Sequence, residues 1–363
     1  MHAPIPFSPS VETPEADEAN TIQQLVETVL KISQITCQDG HHALRSVHAK
    51  SHALLEGQLI VLPNLPPELS QGVFEVPGTY PILMRLSSSP GDLLDDSVST
   101  PRGLAMKVIG VHGTRLPGSE ADRTQDFIMI NAPAFAAPNL RKFLGSLKLL
   151  ANTTDKAPHL KSVLSAALRG TEKLLETVGG HSGTLRSLGG EPATHPLGES
   201  YFTQVPLRYG QYIAKFSLAP ACAGLAALSG VGVPITHSAN ALREAVQEFF
   251  TNDEAVWELR AQLCRDLKKM PVEDSSVVWP EQLSPHQPVA RVVVPRQTAW
   301  TEARAREIDD GASFNPWHGI EEHRPLGSIM RARKAAYAAS VKFRAEHNGR
   351  RITEPTGAPV VLG

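Results

Sequence analysis

Cysteine is scarce in this 363-residue chain, and its three cysteines lie far apart at Cys37, Cys222 and Cys264. No two of them have the CxxC spacing of a zinc site, and an odd, dispersed set does not form a disulfide framework. The sequence therefore predicts a protein of a reducing compartment, and we expect it to be cytoplasmic.

Long apolar runs and an excess of one charge are also missing. Hydrophobic residues make up 41% of the chain, but no run reaches the roughly 18 apolar residues of a membrane-spanning helix. The net charge is −2, from 35 basic and 37 acidic residues, which gives no indication of nucleic-acid binding. The N-terminus lacks the basic and apolar regions of a secretory signal.

Hydrophobic spacing divides the chain into strands and helices. Alternating apolar residues predict strands at 57–62, 81–87, 102–109, 125–131, 201–218, 255–263 and 290–295. A period near 3.6 predicts helices at 21–34, 139–178, 239–250 and 301–347, the last interrupted at 314–327. A Gly-, Pro- and Ser-rich loop is predicted at 179–199. This order favours an α+β fold in which an antiparallel β-barrel carries added helices.

The chain is predicted to form one large domain between two less ordered ends. Residues 1–19, rich in proline and acidic side chains, are expected to be a flexible arm. Residues 20–350 form the domain, and residues 351–363 are expected to fray as a tail.

A tyrosine near the C-terminus has notable neighbours. Arg333, Tyr337 and Arg344 are spaced so that a helix brings them to one face. A phenol has a pKa of about 10 and ionises near neutral pH only beside a cation or a metal. A phenolate can serve as an axial ligand of haem iron. The same stripe also fits a surface Arg–Tyr pair.

Polar side chains upstream could serve the same chemistry. The neutral imidazole of His48 is suited to moving a proton between the two oxygens of a peroxide, and Asn131 could hold the second oxygen. Alternation places Arg85 on the polar face of its strand. Guanidinium groups bind carboxylates in pairs of hydrogen bonds, so Arg45, Arg85 and Arg344 are candidate partners of the haem propionates.

Five motifs give the chain a recognisable resemblance. RSVHAK, MRLS, TPRGLAMK, INAPAF and RARKAAY occur in the order of the motifs of haem catalases. The segment 314–344 resembles the smaller, catalase-related peroxidase branch of that superfamily. The resemblance implies a catalase-like barrel, a proximal helix near the C-terminus and haem b (iron protoporphyrin IX) as the cofactor.

The resemblance also implies roles for individual residues. Tyr337 would be the axial iron ligand with Arg333 as its charge partner, and His48 would be the distal base. The implied haem contacts are Arg45, Val47, Arg85, Ser87, Phe135 and Arg344, with Ser87 also supporting the distal histidine.

Two positions depart from the family pattern. An ungapped match places the functional asparagine at Ile130, and Asn131 takes that role only if the strand is shifted by one residue, which reverses its facing. Ser51 follows the HAK sequence where the family has glycine.

The predicted function is that of a haem-dependent catalase or peroxidase, with peroxidase chemistry prominent. Its partners would be hydrogen peroxide or an organic hydroperoxide, an organic reductant and a second copy of the chain in a homodimer. One alternative is a fatty-acid hydroperoxide isomerase of the allene oxide synthase kind, although those enzymes have threonine where this chain has Val47. The other is a non-enzymatic haem-binding protein.

Overall fold

The computed structural model describes residues 2–89, 91–153 and 191–356. The described strands are β1 (Lys50–Val61), β2 (Thr79–Ser88), β3 (Arg102–Ile109), β4 (Thr124–Ile130), β5 (Tyr201–Phe202), β6 (Leu207–Tyr209), β7 (Tyr212–Pro220), β8 (Ala255–Leu263) and β9 (Gln287–Val294). The described helices are α1 (Glu18–Gly40), α2 (Leu140–Thr153), α3 (Ala223–Ala227), α4 (Ala241–Asn252), α5 (Glu302–Ile308) and α6 (Ser328–His347).

Eight of the strands close into an antiparallel barrel. The pairing runs β1-β2-β3-β4-β5-β7-β8-β9, and β9 returns to β1, while β6 pairs only with β7. Closure satisfies the hydrogen-bonding groups of both edges of the sheet. The prediction of an α+β fold built on an antiparallel barrel is therefore confirmed.

Alternation along the strands separates a packed interior from a polar outer face. In β2, Met84 and Leu86 point into the apolar core of the barrel, and Arg85 and Ser87 therefore point outward. Aromatic rings fill the interior, with ring centroids 5.1–6.3 Å apart, among Phe74, Phe127, Tyr209, Phe216 and His323. Because the interior is filled, the outer face of β2, β3 and β4 is the surface on which a site can form.

Three helices pack together beside that outer face. The apolar stripe of α1 meets α2 and α6 in one buried cluster, formed by Leu25, Val29, Ile32, Leu140, Leu144, Leu147, Ala151, Ala332 and Ala336. The connection from α1 to β1, residues 41–49, carries the RSVH sequence between this helical layer and the barrel. Among the described residues, no helix combines the length and hydrophobicity required to cross a bilayer.

The helix boundaries differ from the predicted ones in physically simple ways. The helix predicted at 21–34 extends over Glu18–Gly40 and ends where His41 adopts a left-handed φ of 51°. Helix α2 begins near the predicted position, whereas residues 154–178 and most of the predicted loop at 179–199 lie outside the described residues.

The N-terminal arm lies against the barrel, although composition predicts a flexible segment. The backbone nitrogens of Ile5 and Phe7 donate to the carbonyls of Cys264 and Gln211, at 2.8 and 2.7 Å. The carboxylate of Glu12 forms ion pairs with arginines of the segment that contains α6. These partners are more than 190 residues away in sequence, and for that reason local composition does not reveal them.

The described part of the tail is held by a buried charge cluster on the outside of the barrel. Lys107 and Asp126 form a fully buried ion pair of 2.8 Å, and Glu354 from the tail joins Lys107. His318 lies 3.5 Å from Asp126 and 3.3 Å from Glu354. Burial alone would lower the pKa of His318, but the two carboxylates outweigh it and raise the pKa to about 9. The expected fraying of the tail therefore does not extend to Glu354.

This cluster predicts a loss of stability in mild alkali. Because the pKa of His318 is raised above its unfolded value of about 6.5, its stabilising charge is fully present below that pH. It is lost as the pH rises through about 9. Urea denaturation should show a fall of roughly 1–2 kcal/mol between pH 6 and pH 10. His318→Gln should show a clearly smaller fall, and an equal fall in both proteins would contradict the assignment.

Candidate active site

The ring of His48 lies against the outer face of β3 because the residue at that point of the strand, Gly103, has no side chain. A Cβ added at Gly103 would lie 2.7 Å from the Nδ1 atom of His48, which is closer than real atoms approach. The hydroxyl of Ser87, on the neighbouring strand, is 3.4 Å from the same nitrogen. His48 also has a positive φ of 54°, a conformation that costs a non-glycine residue about 1–2 kcal/mol. The backbone is thus held in a strained form that presents this imidazole to the strand.

The surroundings of His48 favour its neutral form. The residue is partly accessible to solvent, yet its ring is enclosed by protein atoms. This burial, with smaller contributions from the positive charges of Arg85 and Arg333, lowers the pKa of His48 to about 3. An imidazole that is neutral throughout the physiological range can accept a proton.

The strand register decides which residue of the Ile130–Asn131 pair faces His48. Ser87, Gly103 and Ile130 are direct partners across three antiparallel strands. Residues paired in this way project to the same face of the sheet, and His48 lies on that face at Gly103. Ile130 therefore flanks the imidazole with an apolar side chain.

Asn131 projects away from His48, and its side chain is hydrogen-bonded within a polar cluster. Its amide oxygen accepts from the backbone nitrogen of Arg102 at 2.9 Å. Its amide nitrogen donates to Glu191 and Glu199, each at 2.9 Å, and Glu199 also pairs with the Arg102 guanidinium. These contacts give Asn131 a structural role, and the prediction that it holds a peroxide oxygen gains no support from its position.

The three arginines predicted to bind propionates come together around one residue, Asp309, which follows α5. The Oδ1 atom of Asp309 accepts from Arg45 at 2.9 Å and from Arg85 at 2.6 Å. The backbone carbonyl of Asp309 accepts from Arg45 and from Arg344. A loop, a strand and a helix that are distant in sequence thus place three guanidinium groups at one point.

This cluster carries more positive charge than its own residues neutralise. Asp309 supplies the carboxylate that bonds to this cluster, and the adjacent Asp310 is a second negative charge that acts on Arg45 and Arg344. Burial, together with the charges of Arg344 and Arg85, lowers the pKa of Arg45, and burial lowers the pKa of Arg344 to about 10. In the part of the chain that the structure describes, the buried Nε of Arg344 has no hydrogen-bond partner. The positive charge that remains fits an anionic group such as the propionates of haem.

Helix α6, which carries Arg333 and Tyr337, contacts the segment that carries His48. One turn beyond Tyr337, the hydroxyl of Ser340 lies 3.4 Å from that of Ser46 in the 41–49 segment. Tyr337 is partly buried, and within the described ranges its hydroxyl makes no hydrogen bond. Arg333 forms no ion pair with a described carboxylate. Its guanidinium lies 5.5 Å from the ring centre of Phe135. A half-buried phenol beside an unpaired guanidinium fits an axial phenolate ligand.

Val47 and Phe135 frame the same region with apolar surface. Val47 packs against the cluster shared by α1, α2 and α6. The ring of Phe135 meets Phe143 of α2 edge to face, with centroids 4.9 Å apart. Val47 therefore joins the 41–49 segment to the helical layer, and Phe135 lies beside Arg333 on the same layer.

Two residues of the site were not among the sequence candidates. Gly103 is signalled by the PRG sequence, because a glycine inside a strand often marks a close approach by another group. Asp309 has no comparable signal, since the acidic pair Asp309–Asp310 resembles any solvated turn at a helix end.

No protein-family model matches the sequence, and no curated protein matches it significantly. Solved structures with a similar fold include a fungal catalase, with a TM-score of 0.60 and 16% identity over 90% of this chain and 64% of that one. A bacterial catalase gives 0.57 and 15% identity over 99% and 66%. Catalase A from Saccharomyces cerevisiae gives 0.57 and 14% identity over 99% and 70%. The chain therefore spans about two thirds of the length of these catalases, and the likeness shows a catalase-like fold.

The contact between Gly103 and His48 can be tested without a ligand. Gly103→Ala should push the imidazole off the strand and destabilise the protein by about 1–3 kcal/mol, because the added methyl overpacks the contact. Urea denaturation measures the loss, and the histidine NMR signals report displacement of the ring. Gly145→Ala is the control, because its Cβ meets nothing within 4 Å. Equal stability of the two variants, with an unchanged His48 signal, would refute the contact.

Proposed function

We propose that this chain, which has a catalase-like fold, is a haem-dependent enzyme that consumes peroxides. The observation that carries the proposal is the contact between two elements that hold the candidate groups. His48 with Ser87 lies on the barrel, and Arg333 with Tyr337 lies on α6, whose Ser340 hydroxyl is 3.4 Å from that of Ser46, two residues before His48. The arginine cluster at Asp309 supplies guanidinium groups to which propionates could bind.

The residues that would hold haem b form three groups: an iron ligand, partners of the propionates and apolar contacts. Tyr337 would ligate the iron as a phenolate, and Arg45, Arg85 and Arg344 would bind the propionates. Val47 and Phe135 would contribute apolar contacts. When bound, haem supplies the redox chemistry by which the oxygen–oxygen bond of a peroxide is cleaved.

His48 would move the proton in that cleavage. Its Nδ1 lies against Gly103 and Ser87, so Nε2 is the nitrogen available to the substrate. The neutral ring can accept the proton of one peroxide oxygen and return it to the oxygen that leaves as water or as an alcohol. Its low pKa makes the return of the proton favourable.

Arg333 would act as the charge partner of a Tyr337 ligand. The two residues lie one helical turn apart on α6, and Arg333 has no carboxylate partner among the described residues to neutralise it. A permanent positive charge beside a phenol lowers the free energy of the phenolate relative to the neutral form. In the haem-bound protein, Arg333 would therefore offset the negative charge of a phenolate ligand.

The apolar side chain of Ile130 favours peroxidase chemistry over rapid dismutation of hydrogen peroxide. An amide beside His48 could hydrogen-bond the second peroxide oxygen, whereas the sec-butyl side chain of Ile130 offers no donor. The same apolar surface suits the carbon chain of an organic hydroperoxide. We therefore propose organic hydroperoxides as substrates beside hydrogen peroxide, with an organic molecule as the reductant.

The direct test of the cofactor assignment is Tyr337→Phe. Purified native protein supplied with haem b should show a Soret band and should consume peroxide. The variant should lose the tyrosinate-type spectrum and release haem faster, because the phenolate ligand is gone. The measurements are the absorption spectrum and the rate of haem transfer to an acceptor protein. Tyr80→Phe, which changes a tyrosine of β2 that packs against the barrel core, should behave as native.

A second variant separates haem binding from turnover. His48→Ala should retain the tyrosinate spectrum and lose peroxide consumption about a hundredfold or more, as expected on removal of a general base. Native-like haem spectra in both Tyr337→Phe and His48→Ala, with undiminished turnover, would contradict the proposed site.

The role of Ile130 predicts a gain of function. Ile130→Asn should raise the rate of oxygen release from hydrogen peroxide relative to the rate of oxidation of an organic donor, since it places an amide donor beside His48. An increase of roughly tenfold in that ratio is expected, on the order of one hydrogen bond. Ile128→Asn, on the same face of β4 beside Ala105, is the matched control, and an equal ratio in both variants would contradict the role of Ile130.

A further inference from the structure

We propose that Asp309 competes with the carboxylates of haem for the guanidinium groups of Arg45, Arg85 and Arg344, and so stabilises the haem-free protein while weakening haem binding. The inference rests on the proposed haem site and adds to it a residue that regulates affinity. Its basis is the position of a protein carboxylate at the one point where all three arginines meet.

The contacts of Asp309 show how firmly this carboxylate is held. Oδ1 accepts from Arg45 and Arg85, and Oδ2 accepts from the hydroxyl of Ser51 at 2.7 Å. The indole nitrogen of Trp300 donates to that hydroxyl at 3.0 Å and fixes its orientation. Burial would raise the pKa of Asp309, but Arg85 and Arg45 outweigh it and lower the pKa, so the group is an anion.

The guanidinium groups are engaged on the side that faces Asp309 and Ala49. Arg85 uses Nε for Asp309 and Nη2 for the carbonyl of Ala49 at 3.0 Å. Arg344 uses Nη1 for the carbonyl of Asp309. Two carboxylates that bind the cluster would have to share these donors with Asp309 or use the remaining ones.

Charge counting gives the sign of the coupling. Without haem, Asp309 is attracted by three guanidinium groups. Two bound propionates would reduce the net charge of those groups from three to one, which weakens the attraction for Asp309. Because coupling between two ligands of one site is reciprocal, Asp309 must weaken the binding of the propionates by the same factor. The competition follows even if the arginines keep their present positions.

Ser51 holds the carboxylate of Asp309 in place. It holds the Oδ2 atom of Asp309 without carrying charge, and it stands where the resembling family has glycine. Removal of its hydroxyl should loosen Asp309 and shift the competition in the same direction as loss of the carboxylate, by a smaller factor.

The test compares haem b with its dimethyl ester, which lacks the propionate charges. Dissociation constants for both are measured by absorbance titration on the native protein, Asp309→Asn and Ser51→Ala. Asp309→Asn should bind haem b at least about fivefold more tightly, and its affinity for the ester should change less than about twofold. Ser51→Ala should show a smaller gain for haem b alone. The haem-free Asp309→Asn protein should unfold at a lower urea concentration than the native protein.

Asp310→Asn is the matched control. It removes one negative charge at the adjacent position, where the carboxylate pairs with His42 and forms no hydrogen bond with the three arginines in the described structure. Because this carboxylate acts on Arg45 and Arg344 through charge alone, the variant should gain affinity for haem b by a smaller factor than Asp309→Asn, and an equal gain in both variants would contradict the specific role of Asp309.

The outcomes separate this inference from the proposed function. If the native protein binds haem b but Asp309→Asn binds it no more tightly, or gains equally for the ester, the competition is refuted and the haem site stands. If Asp309→Asn does not fold, an unchanged haem affinity of Ser51→Ala refutes the competition. If the native protein binds neither compound, the proposed function falls and the competition falls with it.

Discussion

The convergence of three buried guanidinium groups on Asp309 joins parts of the chain that would otherwise be independent. Arg45 comes from the segment after α1, Arg85 from the barrel and Arg344 from the last helix. Their ion pairs and hydrogen bonds fix that helix against the barrel, and the helix in turn positions Tyr337. Buried like charges repel strongly unless they are neutralised, so this arrangement requires an anion. Asp309 and the adjacent Asp310 supply negative charge, and the proposed cofactor would add more.

Much of the architecture follows from local pattern. Alternating apolar residues predicted most barrel strands within a few residues, because one face of each strand is buried and the other is not. The exceptions are β1, which begins at Lys50 and not at 57, and the stretch 201–218, which divides into β5, β6 and β7. The same alternation placed Arg85 and Ser87 on the outer face. The hydrophobic pattern and the composition did not predict the structure of the two ends of the chain. Residues 2–17 and Glu354 are held by hydrogen bonds and ion pairs with remote residues, and composition carries no record of such partners.

The sequence predicted which residue types form the site. It did not predict how those residues are arranged in space. The choice between Ile130 and Asn131 depends on register, and only the pairing of Ile130 with Gly103 resolves it. The role of Asp309 depends on three arginines that are brought together from positions up to about 300 residues apart in the sequence. The resulting picture differs from the one implied by the family motifs, since an apolar side chain flanks His48 and a protein carboxylate occupies the arginine cluster.

The account depends on a porphyrin iron bound by the phenolate of Tyr337. The most direct measurement is the resonance Raman spectrum of the haem-loaded protein, excited in the phenolate-to-iron charge-transfer region and compared with protein grown on ring-deuterated tyrosine. The account predicts phenolate ring vibrations that shift on deuteration. A haem-loaded protein without such vibrations, or with vibrations unaffected by the labelled tyrosine, would contradict it.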